Sequence, residues 1–237
     1  MTDRGATRWG AAIGGGIVGA ALTAVGLMLA APTIGERLVR QAMLAHPDIL
    51  IETSDALRDR QYAPTLAASR SQIETPFHSS WKGAAKPDVT LAYFYDYACA
   101  YCRRSNPDLE RLLAEDKGLR IVYRELPILG PASVAASRVA LAASKAGKFA
   151  AFHDALYAAG QPSPETIARA AAVAGVPPAP VDAPDQEAEL KRNFAVAGQL
   201  GATGTPLFVV GDRVMNSAVG YDALKKAVAD ARRAKGA

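Results

Sequence analysis

The chain alternates short apolar runs with longer stretches of helical periodicity, and this alternation predicts an α/β fold. The runs Val89–Tyr95 and Leu119–Leu126 are rich in β-branched and aromatic residues, as buried strands are. A third run, Leu207–Val210, is joined by Gly211-Asp212 to Arg213–Met215, which is the pattern of a tight hairpin. The sequence therefore predicts a sheet with two early strands and a late hairpin.

Helical segments follow and separate these strands. Residues 103–113 have the apolar spacing of a helix that directly follows the first strand, and residues 221–234 predict a closing helix. Residues 131–200 are rich in alanine and helical in pattern. Breaks rich in glycine and proline fall at residue 147, at 160–164 and at 175–184. Because this helical block interrupts the sheet, it predicts an inserted all-helical subdomain.

The first 35 residues do not have the pattern of a folded domain. From Trp9 to Ile34 the chain has no Asp, Glu, Lys or Arg, and a membrane-spanning helix needs about 20 apolar residues. A signal-peptide cleavage site near Ala31 is poor, because Met28 or Leu29 stands where a small residue is needed. We therefore expect an uncleaved transmembrane anchor at residues 1–35, with the rest of the chain outside the cytoplasm. Secretion after cleavage is the alternative.

Three further segments follow the predicted anchor. Residues 36–62 have helical apolar spacing, divided at His46-Pro47, and are a candidate oligomerisation segment that would make the protein a homo-oligomer. Residues 63–86 are mixed in character and are predicted to be a linker with one short helix at most. The remaining residues, 87–237, form the predicted α/β domain with its helical insertion.

The composition and charge of the chain give no indication of a nucleic-acid partner. Half of the 237 residues are hydrophobic, which is enough for an ordinary core, and the net charge is +4. The basic residues are scattered, and the clusters Arg103-Arg104 and Arg232–Lys235 are too short for a nucleic-acid footprint. These clusters are interpreted as solvated helix faces, and no nucleic-acid partner is expected.

The only two cysteines of the chain form the motif Cys99-Ala100-Tyr101-Cys102. A disulfide between them closes too small a loop to stabilise a fold, so thiol–disulfide exchange or metal capture explains the pair better. The pair follows a predicted strand and opens a predicted helix, whose N-terminus favours a thiolate. Cys99 is thus the expected exposed nucleophile and Cys102 the buried resolving thiol. No organic cofactor is needed, and with only three histidines no metal site is assigned.

Four segments together resemble a known family. They are Phe94–Cys102, Arg124–Pro131, Lys148–Leu156 and Gly204–Pro206, in this order and spacing. The chain resembles the DsbA-like branch of the thioredoxin superfamily, and within it the bacterial Com1/ScsC-like group, over roughly residues 86–235. The resemblance implies a thioredoxin-like fold with a helical insertion and a protein thiol–disulfide oxidoreductase activity. Position 100 is Ala, where many relatives have Pro or Gly. The resemblance therefore does not indicate the reduction potential of the dithiol.

The resemblance also implies a substrate-binding loop. Thr205-Pro206 would form a cis-proline loop beside the dithiol, where an extended substrate can pair with the backbone as a strand. Ala100, Tyr101, Thr205 and Pro206 are therefore the candidate substrate-binding residues. An ordinary trans proline at the start of a strand is the alternative.

Three charged residues are candidates for tuning the acidity of the thiols. Arg103 lies four residues after Cys99, and Asp96 and Glu125 are acids near the predicted dithiol. Arg103 also has a simpler interpretation as a solvated cation, and Glu125 has one as an ion-pair partner of the neighbouring Arg124. Tyr93 occupies the position where thioredoxins and some relatives carry a buried acid, so that function is absent here or is supplied elsewhere.

The sequence therefore predicts an extracytoplasmic thiol–disulfide oxidoreductase that exchanges disulfides with cysteine-containing secreted or envelope proteins. A redox partner would recycle its dithiol. Oxidase, isomerase and reductase activities are all compatible with the sequence. One rival is a membrane-tethered copper- or zinc-binding module that uses the same two cysteines, and another is an assembly factor whose cysteines are vestigial.

Overall fold

The computed structural model describes residues 35–179 and 183–236, and the chain divides into two units between Leu57 and Arg58. Helix α1 covers residues 35–45 and helix α2 covers Asp48–Glu74. The two helices are separated at His46-Pro47, as the sequence predicts, because proline is tolerated beside a helix start but not in the middle of a continuous ladder.

The prediction of a linker at residues 63–86 is wrong. Helix α2 continues through Pro64 to Glu74, and strand β1 (Trp81–Gly83) lies within the same stretch. Leu66 and Ile73 of α2 are almost completely buried, and this tertiary packing outweighs the cost of about 3 kcal/mol of a proline inside a helix. Strand β1 is too short to show a period in the sequence.

Five strands form one mixed sheet in the order β1-β3-β2-β4-β5. Strand β2 (Val89–Tyr95) runs parallel to β3 (Leu119–Glu125) and antiparallel to β4 (Leu207–Val210). Strand β1 pairs antiparallel with β3, and β5 (Arg213–Met215) pairs antiparallel with β4. Every residue of the central strand β2 is buried, because helices cover both faces of the sheet.

Alternate side chains of β2 face two separate apolar cores. Leu91, Tyr93 and Tyr95 belong to one core, with buried residues of helix α3 (Ala100–Glu115) and helix α8 (Tyr221–Gly236). The other core contains Phe94, with buried residues of α2 and helix α7 (Pro184–Gln199). The Cys99–Cys102 motif lies at the junction of β2 and α3, and both cysteines belong to the first core.

Four helices occupy the chain between β3 and β4. They are α4 (Pro131–Lys145), α5 (Phe149–Ala159), α6 (Pro164–Ala174) and α7. Phe149 and Phe152 of α5 and Ile167 of α6 are buried in the same core as β2 and α3. The helical block is therefore packed directly on the sheet core, with the end of α5 beside α3.

The predicted anchor, including the charge-free segment from Trp9 to Ile34, lies outside the described residues. Within the described residues, no helix is both long enough and apolar enough to cross a membrane.

Candidate active site

Cys99 is the N-cap residue of α3. Its backbone is extended, with φ −75° and ψ 118°, and its sulfur accepts a hydrogen bond from the backbone N–H of Cys102 at 3.4 Å. The Cys99 N–H in turn donates to the carbonyl oxygen of Asp96 at 3.1 Å, which closes the loop between β2 and α3. The Cys99 sulfur thus lies at the N-terminus of α3, with the Cys102 N–H directed at it.

The two cysteines are free thiols in different environments. Cys99 is 6% exposed and Cys102 is 0% exposed, so Cys99 is less open to solvent than the sequence suggested, although it is still the more accessible of the two. Burial raises the pKa of the Cys102 thiol to about 12, and a backbone hydrogen bond at Asp96 only partly opposes this. Cys102 therefore keeps its proton at neutral pH.

Thr205 and Pro206 lie against the dithiol. The peptide bond between them is cis, so the predicted cis bond is confirmed. The Cys99 Sγ is 3.2 Å from the carbonyl oxygen of Thr205, although the two residues are far apart in the sequence. The Thr205 hydroxyl has no well-aligned hydrogen-bond partner among the described residues, and it lies close enough to Cys102 to lower the pKa of that thiol slightly.

Three of the four predicted substrate-binding residues line one groove of about 560 Å³. Tyr101 is 56% exposed on one wall, where the Arg104 guanidinium lies 4.4 Å from its ring centroid. Thr205 and Pro206 line the same groove. Ala100, the first residue of α3, is exposed but does not line it.

Arg103 points to α5. Its guanidinium donates to the carbonyl oxygens of Tyr157 and Gly160, the second at 2.6 Å, and its carbon lies 5.2 Å from the Tyr157 ring centroid. Carbonyl groups at a helix C-terminus attract cations. Arg103 therefore links α3 to the end of α5 through two hydrogen bonds of its guanidinium.

Asp96 holds two loops together. Its buried carboxylate accepts hydrogen bonds from the N–H groups of Ala98, Ile128 and Leu129 at 2.7–2.9 Å, and from the Ser133 hydroxyl at 2.6 Å. These bonds join the loop that carries Cys99 to the loop that follows β3. The structure therefore gives Asp96 a positioning role beside the dithiol.

Glu125 is the end of a buried polar chain. One carboxyl oxygen accepts from the Ser137 hydroxyl at 2.6 Å and the other accepts from the Tyr95 hydroxyl. The Tyr95 and Tyr97 hydroxyls are 3.1 Å apart, and the Tyr97 hydroxyl is 3.3 Å from Nδ1 of His153. Burial raises the pKa of the Glu125 carboxyl to about 8, so the neutral acid predominates at pH 7.

His153, a buried residue of helix α5, closes this chain at its other end. The ring is 2% exposed and is surrounded by the rings of Tyr95, Tyr123 and Tyr157 at centroid distances of 4.7–5.2 Å. Burial holds the pKa of the imidazole well below its usual range. Sequence reasoning missed this network, because only tyrosines at alternate positions of β2 hinted at it.

Metal-ligand chemistry is limited at this site. Within the described residues, no group of three or more His, Cys, Asp or Glu side chains is placed to hold a metal ion. Cys99 and Cys102 are thus two soft sulfur ligands without a third protein ligand of these types beside them.

A family model described as the DSBA-like thioredoxin domain matches residues 90–229, which is more than half of the chain. The chain belongs to the DsbA-like thioredoxin family. The predicted thioredoxin-like α/β fold is therefore confirmed, and the protein is an enzyme of the DsbA-like thiol–disulfide oxidoreductases, with oxidase and isomerase activities both open.

Solved structures of similar proteins match about 70% of this DsbA-like chain. The catalytic domain of Proteus mirabilis ScsC is 27% identical, with 72% of this chain and 98% of that chain covered and a TM-score of 0.66. A thioredoxin-like oxidoreductase from Silicibacter pomeroyi DSS-3 is 36% identical, with 69% and 98% covered and a TM-score of 0.63. A periplasmic thioredoxin-like protein from Salmonella enterica serovar Typhimurium is 28% identical, with 69% and 95% covered and a TM-score of 0.64.

A curated relative is of a different kind. The Na(+)/H(+) antiporter NhaA 3 of Salinispora tropica is 30% identical over 106 residues, which are 42% of this chain. The chain spans only 16% of the length of that protein.

Proposed function

We propose that this enzyme exchanges disulfides with cysteine-containing proteins outside the cytoplasm. The sulfur of Cys99 carries out the exchange: it is attacked when the enzyme is oxidised, and it attacks when the enzyme is reduced. The observation that carries the proposal is the position of Cys99. Its sulfur caps α3, lies 3.2 Å from the Thr205 carbonyl oxygen, and borders the loop that lines a groove large enough for a peptide side chain.

The oxidising reaction proceeds in two exchanges. A client thiolate attacks the Cys99 sulfur of the Cys99–Cys102 disulfide, a mixed disulfide forms, and Cys102 leaves with the electron pair. A second client thiolate then attacks the client sulfur of the mixed disulfide, and Cys99 leaves as a thiolate. The client gains a disulfide, and its two electrons reduce the Cys99–Cys102 disulfide to the dithiol.

The environments of the two sulfurs support this division of roles. A Cys102 thiolate formed by the first exchange takes up a proton, because the pKa of this buried thiol is about 12. Cys99 leaves in the second exchange into the field of the helix N-terminus. In an isomerase reaction, the reduced Cys99 instead attacks a wrong client disulfide. A redox partner of the same exchange chemistry must reoxidise the dithiol after the oxidising reaction, whereas a completed isomerase cycle regenerates the reduced Cys99 by itself.

We also propose an extracytoplasmic location, with residues 1–35 as a membrane anchor. The support is the charge-free sequence from Trp9 to Ile34, together with the oxidising environment that a dithiol–disulfide enzyme uses. Fractionation of cells that express the full chain tests this proposal.

A second copy of the chain is the proposed partner of the N-terminal helices. Large apolar side chains are exposed at helical spacing along these helices, and they are Leu38, Val39, Met43, Leu44, Ile49, Leu50, Ile51 and Leu57. Such side chains gain free energy when another apolar surface covers them. The mass of the protein in solution, with and without residues 1–57, tests this proposal.

Trapping of clients tests the central proposal. We expect Cys102→Ala to accumulate mixed disulfides with client proteins, because the thiol that releases a stalled client is missing. Cys99→Ala is the matched control, and it should trap almost none. Equal trapping by both variants would contradict the assigned roles. Tightly retained copper or zinc without any exchange activity would instead support the metal-binding alternative.

A further inference from the structure

The groove beside Cys99 has two kinds of wall. One face of α3 contributes Tyr101, Arg104 and Asp108, which recur at the spacing of a helix face. The loop between β5 and α8, residues 216–220, and the Thr205-Pro206 loop complete it. A client segment that pairs with the Thr205 backbone would place a neighbouring side chain in this groove.

Asp108 is the charged group of this groove that lacks a partner. Its side chain is partly buried, and no hydrogen bond or ion pair joins its carboxylate to any described residue. A carboxylate that is partly removed from water and unpaired gains more from a cation than a fully solvated one does.

Arg104, the other charged group, is placed differently. It is exposed, and its guanidinium is stacked on the Tyr101 ring, so its charge is already in contact with an aromatic face and with solvent. No ion pair joins Arg104 to Asp108 in the described part of the chain, although they are four residues apart on one helix.

Asn216 adds an acceptor from the other wall of the groove. Its Oδ1 atom is buried, and among the described residues it has no hydrogen-bond donor. A buried acceptor without a donor is unfavourable, and a ligand that brings an N–H group removes this cost. The same kind of ligand group, a positively charged hydrogen-bond donor, therefore suits both Asp108 and Asn216.

We infer that this groove selects client segments that carry a lysine or arginine close to the reactive cysteine, with Asp108 as the specificity-determining residue and Asn216 as its second acceptor. The inference rests on the proposed function, because it uses the same approach of the client to Cys99. The preference is local, since the whole chain carries a net charge of +4 and would repel a cationic segment at long range.

The test uses single-cysteine peptides activated as mixed disulfides with 5-thio-2-nitrobenzoate. The thiolate of reduced Cys99 attacks the peptide sulfur, the S–S bond breaks, and the coloured nitrobenzoate thiolate leaves with the electron pair. The peptides differ only at the positions next to cysteine, on either side in separate peptides, where they carry Lys, Ala or Glu. The second-order rate of colour release is measured for each.

We expect the best-placed Lys peptide to react about three- to tenfold faster than its Ala counterpart, as a partly buried charge pair allows, and the Glu peptide to react more slowly. Asp108→Asn should reduce the Lys-to-Ala ratio to below about twofold. Asn216→Asp should increase this ratio. Glu165→Gln on α6 is the matched control: it removes the same charge from an exposed site and should leave the ratio unchanged. Since each ratio compares two peptides on one variant, differences in protein concentration cancel. Circular dichroism must show that each variant keeps the wild-type fold, because an unfolded chain would also lose the preference.

Equal rates for all peptides, a faster Glu peptide, or a Lys-to-Ala ratio that survives Asp108→Asn would overturn the inference. A Glu preference would identify Arg104 as the selecting residue instead. No colour release with any peptide would contradict the proposed exchange at Cys99 itself, so the two failures are distinguishable.

Discussion

Replacement of Glu125 by glutamine should remove a large pH dependence from the stability of this protein. Glu125 is 1% exposed, and its carboxyl group is bonded to the hydroxyls of Ser137 and Tyr95. A glutamine side chain has nearly the same shape and can bond to both hydroxyls, because these rotate to donate or accept. It cannot ionise, so the substitution isolates the effect of the buried acid.

The magnitude follows from the two states of the carboxyl group. Its ordinary pKa is 4.5, and burial raises the pKa in the folded protein to about 8. Between these values the folded state keeps the proton and the unfolded state releases it, so the free energy of unfolding falls as the pH rises. Each pH unit in this window corresponds to about 1.4 kcal/mol, and the whole window to about 5 kcal/mol.

Urea denaturation followed by circular dichroism at pH 5, 6, 7, 8 and 9 measures this effect. The protein is kept fully reduced, so that thiol oxidation does not contribute. The difference in the free energy of unfolding, wild type minus Glu125→Gln, should fall by about 1.4 kcal/mol per pH unit and level off above pH 8. Other titrating groups are common to both proteins and cancel in this difference.

Glu165→Gln is the control for the loss of an exposed carboxyl group, and its difference from wild type should be almost constant above pH 5. A difference for Glu125→Gln that is also constant between pH 5 and 8, or that rises with pH, would refute the buried neutral acid. It would show that water or a cation reaches the Glu125 carboxyl in the folded state.

Three further predictions concern the dithiol, its loop and the N-terminus. Alkylation of the reduced protein at mildly acidic pH should label Cys99 before Cys102, as mapped by mass spectrometry, and preferential labelling of Cys102 would reverse the assigned roles. Asp96→Asn leaves an amide N–H₂ group facing backbone donors, so it should lower the free energy of unfolding by about 1–3 kcal/mol in urea titrations; no loss would show that the two loops are held by other contacts. The mature protein should keep Trp9 and remain with membranes after a carbonate wash, whereas a soluble form that begins near Ala31 would contradict the anchor.

The local features of the redox site could be predicted from the sequence, because short patterns encode them. Apolar runs predict β2, β3 and β4, and the position of the Cys99–Cys102 motif between a strand and a helix predicts that Cys99 caps α3. The cis bond at Thr205-Pro206 could be predicted from the resemblance to the family. Each of these depends on a few neighbouring residues or on a recognisable motif.

Other features could not be predicted, because they depend on contacts between distant segments. The continuation of α2 through Pro64 depends on burial of Leu66 and Ile73 against the sheet, and β1 exists as a strand because β3 pairs with it. A sequence pattern shows that a proline disfavours a helix or that a strand would be very short. It does not show the packing between distant segments that stabilises such a helix or strand.

The roles of the charged residues were decided by tertiary structure alone. Asp96, Arg103 and Glu125 are equivalent candidates in the sequence, since each is a charge near the cysteines. In the fold, Asp96 bonds to the loop after β3, Arg103 bonds to the end of α5, and Glu125 is linked through tyrosines to His153. The sequence by itself predicted thiol–disulfide exchange, because the Cys99–Cys102 motif and the segments that resemble the family are short patterns in the chain. Only the tertiary structure decided what each charge near them does, because the state and role of a charge depend on which groups surround it in space.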